Sequence, residues 1–124
     1  MPIAQQSPFG LFAIDQLLSE EERAIRDTVR EFVADQVLDG IDAWFEEGVF
    51  PREIVKGLAD LGLFGMHLEG YGCAGTTATM YGVACRELEA VDGGVRSLVS
   101  VQGSLANTSS PAAETWPLCR ASIQ

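Results

Sequence analysis

Apolar side chains return at helical spacing through most of the chain. After Ser19 they fall at Ile25, Val29, Phe32, Val33, Val37, Ile41, Trp44 and Phe45, the recurrence that lines one face of an α-helix. Arg23, Arg26, Arg30, Glu31 and Asp35 lie mostly off that stripe. Ser19-Glu20-Glu21-Glu22 reads as a capping box: the Ser19 hydroxyl reaches the N3 amide and Glu22 reaches back. The three carboxylates also suit the positive end of the helix dipole. Gly40 inside the pattern costs about 1 kcal/mol against Ala and predicts a break there, and Gly48 ends the stretch. Pro51 suits the start of the next helix, where its missing N–H does no harm. Ile54, Leu58 and Leu61 form the apolar face of that helix, and Gly62 stops it. Gly62, Gly65, Gly70, Gly72 and Gly75 then mark a loop with tight turns. A third helical stretch runs from about residue 77 to 91, with Met80, Val83, Ala84, Leu88 and Val91 on one side. Gly93-Gly94 interrupts the pattern, and a fourth stretch carries Val95, Leu98, Val99, Gln102 and Leu105.

The ends differ from this body. Residues 1–18 are punctuated by Pro2, Pro8 and Gly10 yet carry Phe9, Leu11, Phe12, Ile14, Leu17 and Leu18. They read as an arm that packs on something, with mobile first residues. From Asn107-Thr108-Ser109-Ser110-Pro111 onward the chain is polar and helix-breaking, with no clear period to its end. There is no internal repeat and no strand-like alternation. The expected fold class is all-α, with four or five helices: an arm over 1–18, a helical body over 19–106 and a separate tail over 107–124.

Composition narrows the function. A chain of 124 residues fits one small domain, and 47% hydrophobic with 21% charged residues argues against wholesale disorder. Eighteen acidic residues against eight basic ones give a net charge of -10. That argues against nucleic acid, whose phosphates need clustered Lys and Arg, and against docking on an anionic membrane surface. No apolar run approaches the ~20 residues of a membrane span. The first ten residues lack the basic and apolar regions of a secretory signal. Cys73, Cys85 and Cys119 show no C-x-x-C spacing, so neither a disulfide framework nor a zinc site is expected. The expected compartment is a reducing cytoplasm.

Few residues offer chemistry. His67 is the only histidine, which excludes a His-based triad or a multi-His metal site and leaves it as a loop residue. Gly70-Tyr71-Gly72-Cys73-Ala74-Gly75 matches neither the dinucleotide fingerprint nor the P-loop. Cys73 and Cys85 read as small buried hydrophobes. Arg96 and Ser100 stand four apart on a helical stretch and share a face. A guanidinium and a hydroxyl so placed can bind a carboxylate through charge-assisted hydrogen bonds. The plainer alternative is a surface Arg96 paired with Glu89 or Asp92.

The longer motifs resemble a known family. They are LSEEERAIRDTVR from Leu18, FPREIV from Phe50, LGLFG from Leu61, GYGCAG from Gly70, YGVACRELEAVD from Tyr81 and RSLVSVQGSLA from Arg96. Residues 19–106 resemble the N-terminal helical domain of an acyl-CoA dehydrogenase, most of all the glutaryl-CoA dehydrogenase branch. The resemblance implies FAD-dependent α,β-dehydrogenation of an acyl-CoA thioester. A carboxylate base would take the α-proton, and the β-hydrogen would leave as hydride to the flavin. It also implies that Arg96 and Ser100 bind a distal carboxylate of the substrate, with Glu89 near that site and Ser97 beside it. A homotetramer is the assembly it implies.

The departures set further expectations. Family members are several times longer, and their middle β-domain and C-terminal helical domain supply most flavin and CoA contacts and the catalytic glutamate. No catalytic residue is therefore expected among these 124. The family's next segment, Met-aromatic-Pro-Ile and then Gly-Ser-Glu-Glu-Gln, is replaced after Ala106 by an unrelated tail, which points to a truncated or frameshifted reading frame. By itself such a chain is expected to be inactive, to retain no FAD and to self-associate. The alternative is a stand-alone helical interaction module that binds a partner through its apolar faces.

Overall fold

The computed structural model describes residues 14–69 and 73–106. The first part of the arm, the centre of the glycine-rich segment and the tail over 107–124, with the expectations attached to them, lie outside the described residues. Among the described residues there are helices and no strand, so the all-α class holds. A 3-10 turn at Ile14–Gln16 leads into α1 (Glu20–Gln36), α2 (Ile41–Glu47), α3 (Arg52–Asp60), α4 (Ala78–Glu89) and α5 (Gly93–Ser100). A π-helical turn, Val101–Ala106, extends α5.

Local chemistry explains the boundaries. The capping box at Ser19 is complete: the Glu22 amide donates to Ser19 Oγ at 3.2 Å, and the Ser19 amide donates to Glu22 Oε2 at 2.8 Å. The break near Gly40 falls at residues 37–40, and α2 starts afresh beyond it. A Cβ on Gly40 would lie 2.5 Å from the Trp44 ring, so the glycine makes room for the indole to fold back over the turn. Gly48 closes α2 in the left-handed region at φ 64°, which a residue without Cβ adopts freely. Thr77 caps α4 by accepting from the Met80 amide at 3.2 Å. Asp92 caps α5 by accepting from the Val95 amide at 2.7 Å. Gly93 and Gly94 therefore form the first turn of α5; they do not merely separate two helices.

The core is aliphatic. Val29, Val33 and Val37 of α1 and its cap meet Ile54 and Leu58 of α3, Leu63 of the following loop, Ala84 and Leu88 of α4, and Val95 and Val99 of α5. Each fully buried Leu, Ile or Val contributes about 1.5–3 kcal/mol relative to exposure. Two expected core residues lie outside it: Phe45 is 86% exposed and Leu105 is 64% exposed. The turn at 37–40 rotates α2 about its axis, so only Ile41 and Trp44 stay against the core. The change of pitch after Ser100 does the same to Leu105.

One polar seam crosses this interior. Arg30 of α1 donates to Glu87 of α4 through Nε at 2.8 Å and Nη2 at 3.1 Å. Arg86 donates to the same carboxylate through Nε at 3.2 Å and Nη2 at 2.9 Å, and Nη2 also reaches Asp15 at 3.1 Å. Asp15 in turn faces Arg26 at 3.4 Å. The seam fastens the 3-10 turn and α1 to α4.

Candidate functional site

α4 and α5 are joined by a short turn and pack on each other, which brings distant positions onto one polar face. Tyr81, Cys85 and Glu89 stand one turn apart along α4, and Arg96 and Ser100 one turn apart along α5. Arg96 Nε donates to Glu89 Oε2 at 2.5 Å, and Nη1 donates to Ser100 Oγ at 3.3 Å. Ser100 Oγ donates to the Ser97 carbonyl at 3.3 Å, and Ser104 Oγ donates to the Ser100 carbonyl. The structure thus joins Arg96, Ser100 and Glu89 directly, and Ser97 through its backbone. Arg96 shares a face with Ser100, as their spacing predicts, and it pairs with Glu89, as the plainer alternative has it. The Arg96 side chain is still 36% exposed. The Glu89 carboxylate, through its hydrogen bond and then its charge, holds Arg96 further above the usual arginine value.

Sequence reasoning missed two neighbours of this group. Burial pushes the Tyr81 phenol up to about 12; the Cys85 thiol adds to the shift and the Arg96 charge opposes it. Burial also pushes the Cys85 thiol up, with Tyr81 and Arg96 pulling against it, which fits an inert cysteine. The signal for both was the spacing of four that they share with Glu89. His67 stacks on Tyr81 with ring centroids 4.5 Å apart. Its Nδ1 is buried without a hydrogen-bond partner among the described residues, and the Tyr81 hydroxyl is buried beside the Cys85 thiol. A Cβ on Gly103 would lie 3.2 Å from the Gly65 amide nitrogen and 3.4 Å from His67 Cε1, so the π-helical turn presses closely on this loop.

Among the described residues, no three His, Cys, Asp or Glu side chains are grouped to hold a metal ion. Among the same residues no helix is long and apolar enough to cross a membrane. Apolar grooves lie between the helices of the described residues. One, of about 430 Å³, lies between α2, α3 and α5 beside Trp44, Phe45, Phe50 and Leu98. Another, of about 220 Å³, lies between α1 and the loop after α3. Both are lined mainly by apolar side chains.

Residues 19–112 match the family described as acyl-CoA dehydrogenase, N-terminal domain. The chain belongs to the acyl-CoA dehydrogenase family. Its relatives include benzylmalonyl-CoA dehydrogenase of Aromatoleum aromaticum, 32% identical over 90 residues, 72% of this chain and 22% of that protein. The mitochondrial short/branched chain specific acyl-CoA dehydrogenase of Bos taurus is 27% identical over 93 residues, 74% of this chain and 22% of that protein. A glutaryl-CoA dehydrogenase from Mycobacterium smegmatis in complex with FADH2 superposes with a TM-score of 0.84 and 46% identity. That match covers 94% of this chain and 31% of that one. A second structure of glutaryl-CoA dehydrogenase from the same organism gives a TM-score of 0.83 and 49% identity. The chain therefore spans under a third of the enzymes it resembles.

Proposed function

We propose that this chain is the N-terminal helical part of a flavin-dependent acyl-CoA dehydrogenase whose substrate carries a second carboxylate at the far end of its acyl chain, as glutaryl-CoA does. The observation that supports it is the partly exposed Arg96 side chain, whose guanidinium donates to Glu89 through Nε and to Ser100 through Nη1. A charge-assisted contact to a carboxylate there contributes about 1.5–3 kcal/mol. Fixing the distal end also orients the Cα–Cβ bond for reaction. A bound flavin would supply the hydride-accepting chemistry of the reaction. The role proposed for this chain is binding and orientation of the acyl tail, with no dehydrogenation by the chain alone.

Nuclear magnetic resonance titration of the 124-residue chain with glutaryl-CoA and butyryl-CoA tests this. Glutaryl-CoA is expected to shift the Arg96 Nε–H and Ser100 amide signals, and Arg96→Ala to abolish the shift. Equal responses to both thioesters would overturn the carboxylate role.

A second reading rests on Phe45, Val49 and Phe50, all more than half exposed around the larger groove: a helical module that binds another copy or a partner there. Sedimentation equilibrium of the wild type against a Phe45→Ser, Phe50→Ser variant decides it. Association lost in the variant supports this reading, and a monomeric wild type removes self-association.

A further inference from the structure

The aromatic face of α2 is used neither by the core nor by the Arg96 site. Trp44, Phe45, Phe50 and Leu98 line the groove of about 430 Å³ between α2, α3 and α5, a volume in the range of occupied binding pockets. Phe45 is 86% exposed and Phe50 is 54% exposed, so two large aromatic rings meet water at its mouth. The charge around them has one sign. Between Arg30 and Arg52 the chain carries six carboxylates and no lysine or arginine. Asp42, Glu46 and Glu47 are exposed on α2 itself. The helical period sets Asp42 on one flank of the strip formed by Ile41, Trp44 and Phe45, and Glu47 on the other. Asp92 is the one charged residue in the lining, and it too is acidic. On the α3 side, Lys56 is already paired with Asp60 at 2.7 Å.

These features discriminate between occupants. A closed two-fold contact sets one patch against itself. Here it would bring the Asp42 and Glu47 flanks of two copies together, like charge on like charge. Strand addition has no template, because the described residues offer no strand edge. A helix that lays bulky apolar side chains into the groove, with lysine or arginine beside them, meets both the aromatic strip and its acidic flanks. We infer that this face is a docking site for a basic amphipathic helix of another protein. The inference rests on the second reading given above and names the chemistry of the partner.

The test uses the full chain and two synthetic helical peptides with the same leucine and phenylalanine face, one flanked by lysine and the other by glutamate. Trp116→Phe leaves Trp44 as the only tryptophan, and its emission reports the groove. The lysine peptide is expected to bind about tenfold more tightly than its twin, the scale of a few exposed ion pairs, with the difference shrinking as salt is added. Asp42→Lys, Glu47→Lys is expected to reverse the preference, and Phe45→Ser, Phe50→Ser to abolish binding of both peptides. Equal binding of the twins, or lysine-peptide binding that survives Phe45→Ser, Phe50→Ser, overturns the inference. The comparison of twins on the Trp116→Phe chain needs neither groove variant to fold. Binding of neither peptide also overturns it, and sedimentation equilibrium then separates the remaining cases. Dimers that Phe45→Ser, Phe50→Ser dissociates make a second copy the occupant and leave the module reading standing; a monomer removes that reading as well.

Discussion

Replacing Glu87 with Gln tests the polar seam most directly. The Glu87 side chain is 8% exposed, and its partners Arg30 and Arg86 are 23% and 16% exposed. Four N–H groups from the two guanidinium forks point at one carboxylate. Glutamine keeps the shape, removes the charge and turns an N–H₂ towards a guanidinium. Deleting one member of a buried ion pair costs about 3–5 kcal/mol, because the remaining charge stays buried. Here both arginines retain some water, and Arg86 keeps Asp15 at 3.1 Å, which places the loss near about 2–3 kcal/mol. For a domain of this size that lowers the melting midpoint by roughly 10–20 °C. Urea unfolding followed by far-ultraviolet circular dichroism measures it. The companion Arg30→Leu, Glu87→Leu removes charge from both helices and is expected to recover much of the loss, since apolar packing replaces buried pairs well. A Glu87→Gln variant within about 0.5 kcal/mol of wild type would refute the claim that this carboxylate holds α1 to α4.

Three further outcomes follow from other contacts. Burial raises the Asp15 carboxyl, but the Arg86 hydrogen bond and the charges of Arg26 and Arg86 outweigh it and hold the group below its ordinary 3.8. Its contribution is therefore present above that pH and lost as pH falls through the folded-state value, so Asp15→Asn should flatten the acid limb of a stability–pH curve. The Tyr81 phenol, at about 12, stabilises the fold fully below the ordinary tyrosine value of about 10 and loses that contribution as pH rises towards its own. The late phase of an ultraviolet tyrosine titration should disappear in Tyr81→Phe. Gly103→Ala places a methyl group 3.2 Å from the Gly65 amide nitrogen, and overpacking against backbone should cost about 1–3 kcal/mol in urea unfolding while shifting the His67 ring signals.

The helices were legible where one residue decides a local contact. Ser19 with Glu22 marks the start of α1, and Gly40 marks the break before α2, because both act within a few residues of chain. Phe45 was not legible as exposed. The apolar period carries on past Gly40 on paper, but the turn at 37–40 resets the rotation of α2. A phase change of that kind depends on how Trp44 folds over Gly40, which is a packing outcome. Asp92 was similarly hidden, since the glycines after it drew attention as a break when they are the turn that Asp92 caps.

The site shows the same division between local and distant causes. Arg96 and Ser100 are neighbours by helical spacing, so their pairing could be read from the chain. In the RELE motif the two glutamates look equivalent, yet the structure gives them opposite tasks. Glu87 points inward to two arginines, one of them 57 positions away, and Glu89 points outward to Arg96. Adjacent carboxylates separated by one leucine lie on different sides of a helix, so the helical period alone assigns them to different faces. Which face meets Arg30 depends on where α1 crosses α4, and that crossing is set by the aliphatic core. The aliphatic core sets where α4 lies, the charge seam fastens it there, and the two together hold the rotation that presents Glu89 to Arg96 of α5. Disturbing Glu87 should loosen the Arg96 clamp without touching it, whereas Glu89→Gln should loosen the clamp and leave the melting midpoint in place. Thermal melts paired with the glutaryl-CoA titration separate the two. A Glu89→Gln variant that melts as early as Glu87→Gln would show that the outer pair also carries the fold.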